Sequence, residues 1–103
     1  MEFAPVNIVY RLQGIEFEWD DQKAKINIAK HGVAFEEAAE VFFDPFYQVG
    51  DAAGESDEAR DFILGYTSMS RLLLVVYTER RAHTRIISAR SATRAERELY
   101  ETI

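Results

Sequence analysis

Leu72-Leu73-Leu74-Val75-Val76-Tyr77 is the stretch that decides the fold. Six apolar residues in a row are too few to span a membrane but match a strand. Both odd and even positions are apolar, so the strand is buried on both faces and belongs inside a sheet. Extended to Arg71–Glu79, it is flanked by polar turns at Thr67 to Ser70 and Arg80 to His83. Turns of hairpin length imply antiparallel neighbours, Arg60 to Tyr66 on one side and Thr84 to Arg90 on the other. Phe46 to Gly50 reads as a further short strand, followed by an acidic, Gly-containing loop from Asp51 to Asp57.

Toward the N-terminus, Ile15, Phe17 and Trp19 alternate with Glu16, Glu18 and Asp20, the pattern of a half-buried strand. Asp20 or Asp21 then caps a helix that runs to about Lys30 and stops at Gly32. Ala24 and Ile28 are expected to face the core, with Lys23, Asn27, Lys30 and His31 along a polar edge. Phe35, Ala38, Ala39 and Phe42 form the buried stripe of a second helix. Glu36 and Glu37 suit its first turn, and Asp44-Pro45 ends it.

Toward the C-terminus, Thr93-Arg94-Ala95-Glu96 fits a capping box. The helix it opens has only a thin apolar stripe (Ala95, Leu99, Ile103), as expected of a loosely docked helix or one that awaits a partner. Residues 1–14 read as an N-terminal extension in which Ile8, Tyr10 and Leu12 outline a short strand broken by Gly14. The fold class is therefore α+β: a largely antiparallel sheet of about four to five strands packed against two N-terminal helices, with a C-terminal helix. Residues 15–103 form a single domain.

Composition narrows the function. A chain of 103 residues, 48% hydrophobic and 13% aromatic, supplies one core. The lack of cysteine excludes disulfides and thiolate metal sites, and His31 and His83 alone argue against a histidine-rich zinc site. Met1-Glu2-Phe3-Ala4-Pro5 lacks the basic start of a signal peptide, and no apolar run spans a membrane, so the expected location is the cytoplasm. Net charge is −6 but uneven: residues 1–61 carry 5 Lys+Arg against 14 Asp+Glu, whereas residues 62–103 carry 7 Arg against 4 Glu. Arginine suits bidentate contact with phosphate, and equally with a carboxylate on a protein partner.

There is no P-loop, no Gly-x-Gly-x-x-Gly and no serine in a nucleophile context, so no cofactor or metal is expected. What remains is acid–base chemistry. Cleavage of RNA by its own 2′-hydroxyl needs a base, an acid and cations around the crowded phosphorus. Lys30 and His31 stand where a helix end favours cations, and their alternative role is to cap free carbonyls. Arg60 opens a strand beside the acidic loop and has Asp57, Glu58 or Asp61 as alternative partners. Arg85 and Arg90 flank Ile86-Ile87-Ser88-Ala89 and fall on opposite faces of a regular strand; each needs a phosphate or a carboxylate. Tyr77 and Trp19 read as core, His83 as a solvated turn residue, and Arg94 and Arg97 as a solvated face.

Phe17-Glu18-Trp19-Asp20, Lys23, Asn27 and Lys30-His31-Gly32-Val33 resemble the opening of the BrnT toxin family. Phe35-Glu36-Glu37-Ala38, Val41-Phe42, Asp44-Pro45, Arg85-Ile86-Ile87-Ser88-Ala89-Arg90 and Glu96-Arg97…Tyr100 continue the likeness in family order, so that it covers residues 15–101. The resemblance implies a RelE-like ribonuclease fold and a toxin of a type II toxin–antitoxin pair. It also implies a BrnA-like antitoxin with a ribbon-helix-helix DNA-binding part, a heterotetramer, and contact with operator DNA only through the antitoxin. Residues 1–14 lie outside the pattern, and Ala34 stands where serine often precedes Phe-Glu-Glu, so the second helix lacks its best cap. The expected site is Lys30, His31, Arg60, Arg85 and Arg90, with His31 or Lys30 moving protons and the arginines holding phosphate. The competing expectation is a non-catalytic, toxin-like binding module or co-repressor.

Overall fold

The structure, a computed structural model, describes residues 5–52 and 59–102. Most of the acidic loop, including Asp57 and Glu58 as partners for Arg60, and Ile103 of the last apolar stripe lie outside the described residues. Strands β1 (Asn7–Leu12) and β2 (Ile15–Asp20) form a hairpin. Helices α1 (Asp21–His31) and α2 (Phe35–Ala39) follow, the latter tightening into a 3-10 turn at Glu40–Phe43. Then come β3 (Gln48–Asp51), β4 (Asp61–Tyr66), β5 (Leu72–Arg80), β6 (His83–Ser91) and α3 (Arg94–Glu101).

The class is α+β, with more strands than expected and one parallel junction. Six strands lie in the order β1-β2-β6-β5-β4-β3. Four of the five pairings are antiparallel, but β2 runs parallel to β6, with Phe17 beside Thr84 and Glu18 beside Arg85. Residues 7–12 are thus a sheet strand, and Ile8, Tyr10 and Leu12 pack against the core.

One sheet face carries the core. Phe17, Trp19, Ile63, Leu73, Val75, Ile86 and Ala89 are buried on it together with Val33, Phe35, Ala38, Ala39 and Val41 from the helical segment. Trp19 meets Phe35 edge-on at 5.7 Å, and Phe17 meets Phe42 at 5.2 Å. Trp19, Phe17 and Phe35 are the bulkiest fully buried side chains, and burial of apolar surface contributes roughly 25 cal/mol per Å².

Helix α1 has the caps its sequence specifies. The Asp20 carboxylate accepts from Lys23 N–H, and Gly32 closes the helix at φ 68°, where a side chain would be strained. Its buried face differs from expectation: Asn27 is buried and Ile28 is about half exposed. Asn27 Nδ2 donates to Val33 O (2.9 Å) and Ala89 O (2.8 Å), and its Oδ1 accepts from Ala89 N (3.1 Å). One amide thereby satisfies a helix-to-loop carbonyl and both polar groups of a residue in β6. Burial without those bonds would cost more than burying isoleucine gains. Phe42 is likewise only partly buried while Val41 is fully buried, because the 3-10 turn advances about three residues per turn instead of 3.6.

Candidate functional site

The second face of the sheet carries the charged side chains, and a bulge organises them. Between Val76 and Tyr77 the β5–β6 register shifts: Tyr77 pairs with Ile86, but Val76 pairs with Ser88. Ile87 is the extra residue. It cancels the odd spacing between Arg85 and Arg90, which now oppose Thr78 and Leu74, two residues on the same face of β5. The expectation of opposite faces is thus overturned by one inserted residue. Ile86 and Ala89 point into the core, and both arginines point away from it.

Two transverse rows of polar residues follow from the register. Glu18 on β2 lies beside Arg85 on β6, which lies opposite Thr78 on β5. One step beyond the Asp61–Tyr77 pair, Arg60 lies across from Thr78, whose hydroxyl donates to Ala59 O at 2.6 Å. The next row holds Glu16, His83 and Arg80, the last two being partners across the hairpin. Arg60 and Arg85 are therefore brought to one row of one face. Arg85 donates to Asn7 Oδ1 at 2.7 Å and lies 3.4 Å from a Glu18 oxygen. Arg60 Nε is buried and has no hydrogen-bond partner among the described residues.

Arg90 shares the face but lies four residues of β5 away, about 13 Å at the usual strand rise. Its guanidinium grips Glu96 of α3 through two bonds of 2.7 and 2.8 Å. Helix α3 is held mainly by such polar ties, since none of its residues is buried. Tyr100 donates to Asp44 at 2.6 Å, and Arg97 donates to the Tyr66 hydroxyl at 3.1 Å.

Lys30 and His31 are elsewhere. Both are exposed at the end of α1, on the core side of the sheet. Next to them Gly32 O accepts from Arg71, which also grips Glu37 with bonds of 2.9 and 2.6 Å. Arg71 precedes β5 and Thr78 lies near its far end, a separation of seven residues or about 23 Å along the strand. The sheet itself stands between the end of α1 and the Arg60–Arg85 row.

His83, read from sequence as a solvated turn residue, is instead a half-buried member of the charged face. Its Nε2 lies 2.6 Å from Glu16 and its Nδ1 lies 3.2 Å from Glu18. Arg11 also binds Glu16, and Asn7 donates to Glu18 at 3.1 Å. The Glu18 hydrogen bond, followed by Glu16, raises the His83 pKa despite partial desolvation. Glu16 is held below the usual carboxylate value chiefly by Arg11. Burial pushes Glu18 up, but Asn7, His83 and Arg85 together outweigh it and leave Glu18 lowered as well. Period-two alternation put Glu16 and Glu18 on one face; the parallel β2–β6 pairing that brings His83 to them left no local signal. Beside this group a cleft of about 580 Å³ is lined by Glu18, Arg80, Arg81, Ala82 and His83.

The profile of the family described as ribonuclease toxin, BrnT, of type II toxin–antitoxin systems matches residues 19–96. The chain belongs to the BrnT family. Its fold is similar to that of the Brucella abortus ribonuclease toxin BrnT, known from a 1.1 Å crystal structure. The two share 27% identity at a TM-score of 0.56, over 74% of this chain and 94% of that one. No curated protein sequence matches the chain. BrnT membership supplies the coarse function, a ribonuclease toxin whose family works with an antitoxin. Among the described residues no helix is long and apolar enough to cross a membrane, which says nothing of a β-barrel.

Proposed function

We propose that the chain is a cytoplasmic endoribonuclease of the RelE-like kind that cleaves RNA by acid–base chemistry, without a metal ion, on the charged face of the sheet. Arg60 and Arg85 would hold the scissile phosphate, and Arg90 a neighbouring one. Lys30 and His31, on the other side, are left out of the reacting groups. The observation that carries the reading is Arg60: a buried guanidinium nitrogen without a hydrogen-bond partner among the described residues, in one row with Arg85, is costly unless an anion completes it. A phosphodiester supplies the acceptor oxygens, and its charge grows toward the transition state, where fixed arginines act most strongly.

The cognate antitoxin would be BrnA-like, with a ribbon-helix-helix part. It would form a heterotetramer with this chain, neutralise it, and carry it to operator DNA. A second reading, a non-catalytic binding module, is favoured by the carboxylates already on Arg85 and Arg90. Incubation of the purified protein with total bacterial RNA in EDTA separates the two. Cleavage that falls about 100- to 1,000-fold in Arg60→Ala and Arg85→Ala is expected, the scale of losing one transition-state contact. Intact RNA with folded protein would overturn the ribonuclease reading.

A further inference from the structure

We propose that His83 and Glu18 are the acid–base pair of RNA cleavage, with Glu16 as the residue that positions the imidazole. The inference rests on the ribonuclease reading and names the groups that reading leaves open. Three independent observations meet at this place. His83 is wedged between two carboxylates, at 2.6 and 3.2 Å. Glu18 and His83 both line the 580 Å³ cleft, and Glu16 does not. The remaining charged lining is cationic, Arg80 and Arg81, with Arg85 behind Glu18.

The division of roles follows. Glu16 holds Nε2 from outside the cleft and fixes the ring, while Glu18 and His83 face the space a phosphodiester would occupy. The groups surrounding the imidazole are Glu16 and Glu18 from β2, Arg80 and Arg81 from the end of β5 and the turn, and Arg85 on β6. The two carboxylates keep His83 protonated more readily than usual, which suits an acid, while Asn7, His83 and Arg85 leave Glu18 ionised and open to a proton.

The 2′-hydroxyl gives its proton to the Glu18 carboxylate as its oxygen bonds to phosphorus. The bond from phosphorus to the 5′ oxygen breaks, and that oxygen takes the proton of the His83 imidazolium. The products are a cyclic phosphate and a 5′-hydroxyl end. Proton transfer from Glu18 to His83, already in contact, restores both groups.

His83→Asn and Glu18→Gln are assayed in parallel for cleavage of total bacterial RNA across pH, with folding checked by circular dichroism. Binding is measured with a 2′-O-methyl RNA oligonucleotide that cannot react. Each variant is expected to lose about 100-fold or more in rate, and one limb of the pH profile, while binding stays within about twofold. A folded variant of either kind that keeps the wild-type rate and both limbs overturns the pair and leaves the ribonuclease reading standing. A wild-type protein that cuts no RNA overturns both.

Discussion

Arg85 and Arg90 stand on the same face of β6 although they are five positions apart, because Ile87 bulges out of the register. A regular strand would turn one of them into the core, where an unpaired guanidinium costs several kcal/mol. The bulge thus lets one strand bury Ile86 and Ala89 while presenting two arginines outward. Bulges commonly re-aim side chains beside active sites.

Deleting Ile87 tests this directly. Without the extra residue the ladder becomes regular, with Ser88, Ala89 and Arg90 still opposite Val76, Val75 and Leu74. Ile86 and Ala89 therefore keep facing the core and both arginines keep facing outward. We predict a folded protein whose stability, read from the urea midpoint, changes by no more than about 1 kcal/mol. Unfolded or insoluble protein would show that Ile87 is not a simple insertion.

Asn27 is predicted to matter more than any apolar residue of α1. Asn27→Ala strands two carbonyls and an N–H in the interior, a loss of about 2–4 kcal/mol by urea unfolding. Ile28→Ala, at an exposed site, should stay within about 0.5 kcal/mol.

The Arg90–Glu96 pair gives α3 an acid-labile attachment. Arg90, followed by the Thr93 N–H, lowers the Glu96 pKa from 4.5 to about 2 against the cost of burial. The folded value lies below the unfolded one, so the stabilisation is present above about pH 4.5 and is lost as pH falls toward 2. With the pair partly solvated, Glu96→Gln should cost roughly 1 kcal/mol at pH 7. Thermal melts of the variant and the wild type should converge near pH 2.

Much of this fold was legible locally. Asp20 and Gly32 at the ends of α1, the Thr93–Glu96 capping box, the buried Phe35, Ala38 and Ala39, and the doubly buried β5 all follow from side-chain chemistry within a few residues. Long-range pairings were not legible. Nothing near Glu18 announces that Arg85 and His83 lie beside it through a parallel junction, or that Asn27 meets Ala89. The layout of the candidate residues was hidden for the same reason. Arg60 and Arg85 fall in one row through sheet register, whereas Lys30 and His31, grouped with them by charge type, lie on the other side of the sheet. Two residues of the family likeness tie parts of the structure together: Asp44 joins Tyr66 to Tyr100, and Glu96 joins α3 to Arg90.

Backbone amide NMR of the protein with an uncleavable 2′-O-methyl RNA oligonucleotide tests the central claim most directly. The account predicts shifts concentrated at Arg60, Thr78, His83 and Arg85, with the end of α1 unaffected. Shifts centred on Lys30 and His31, with the charged sheet face silent, would contradict it.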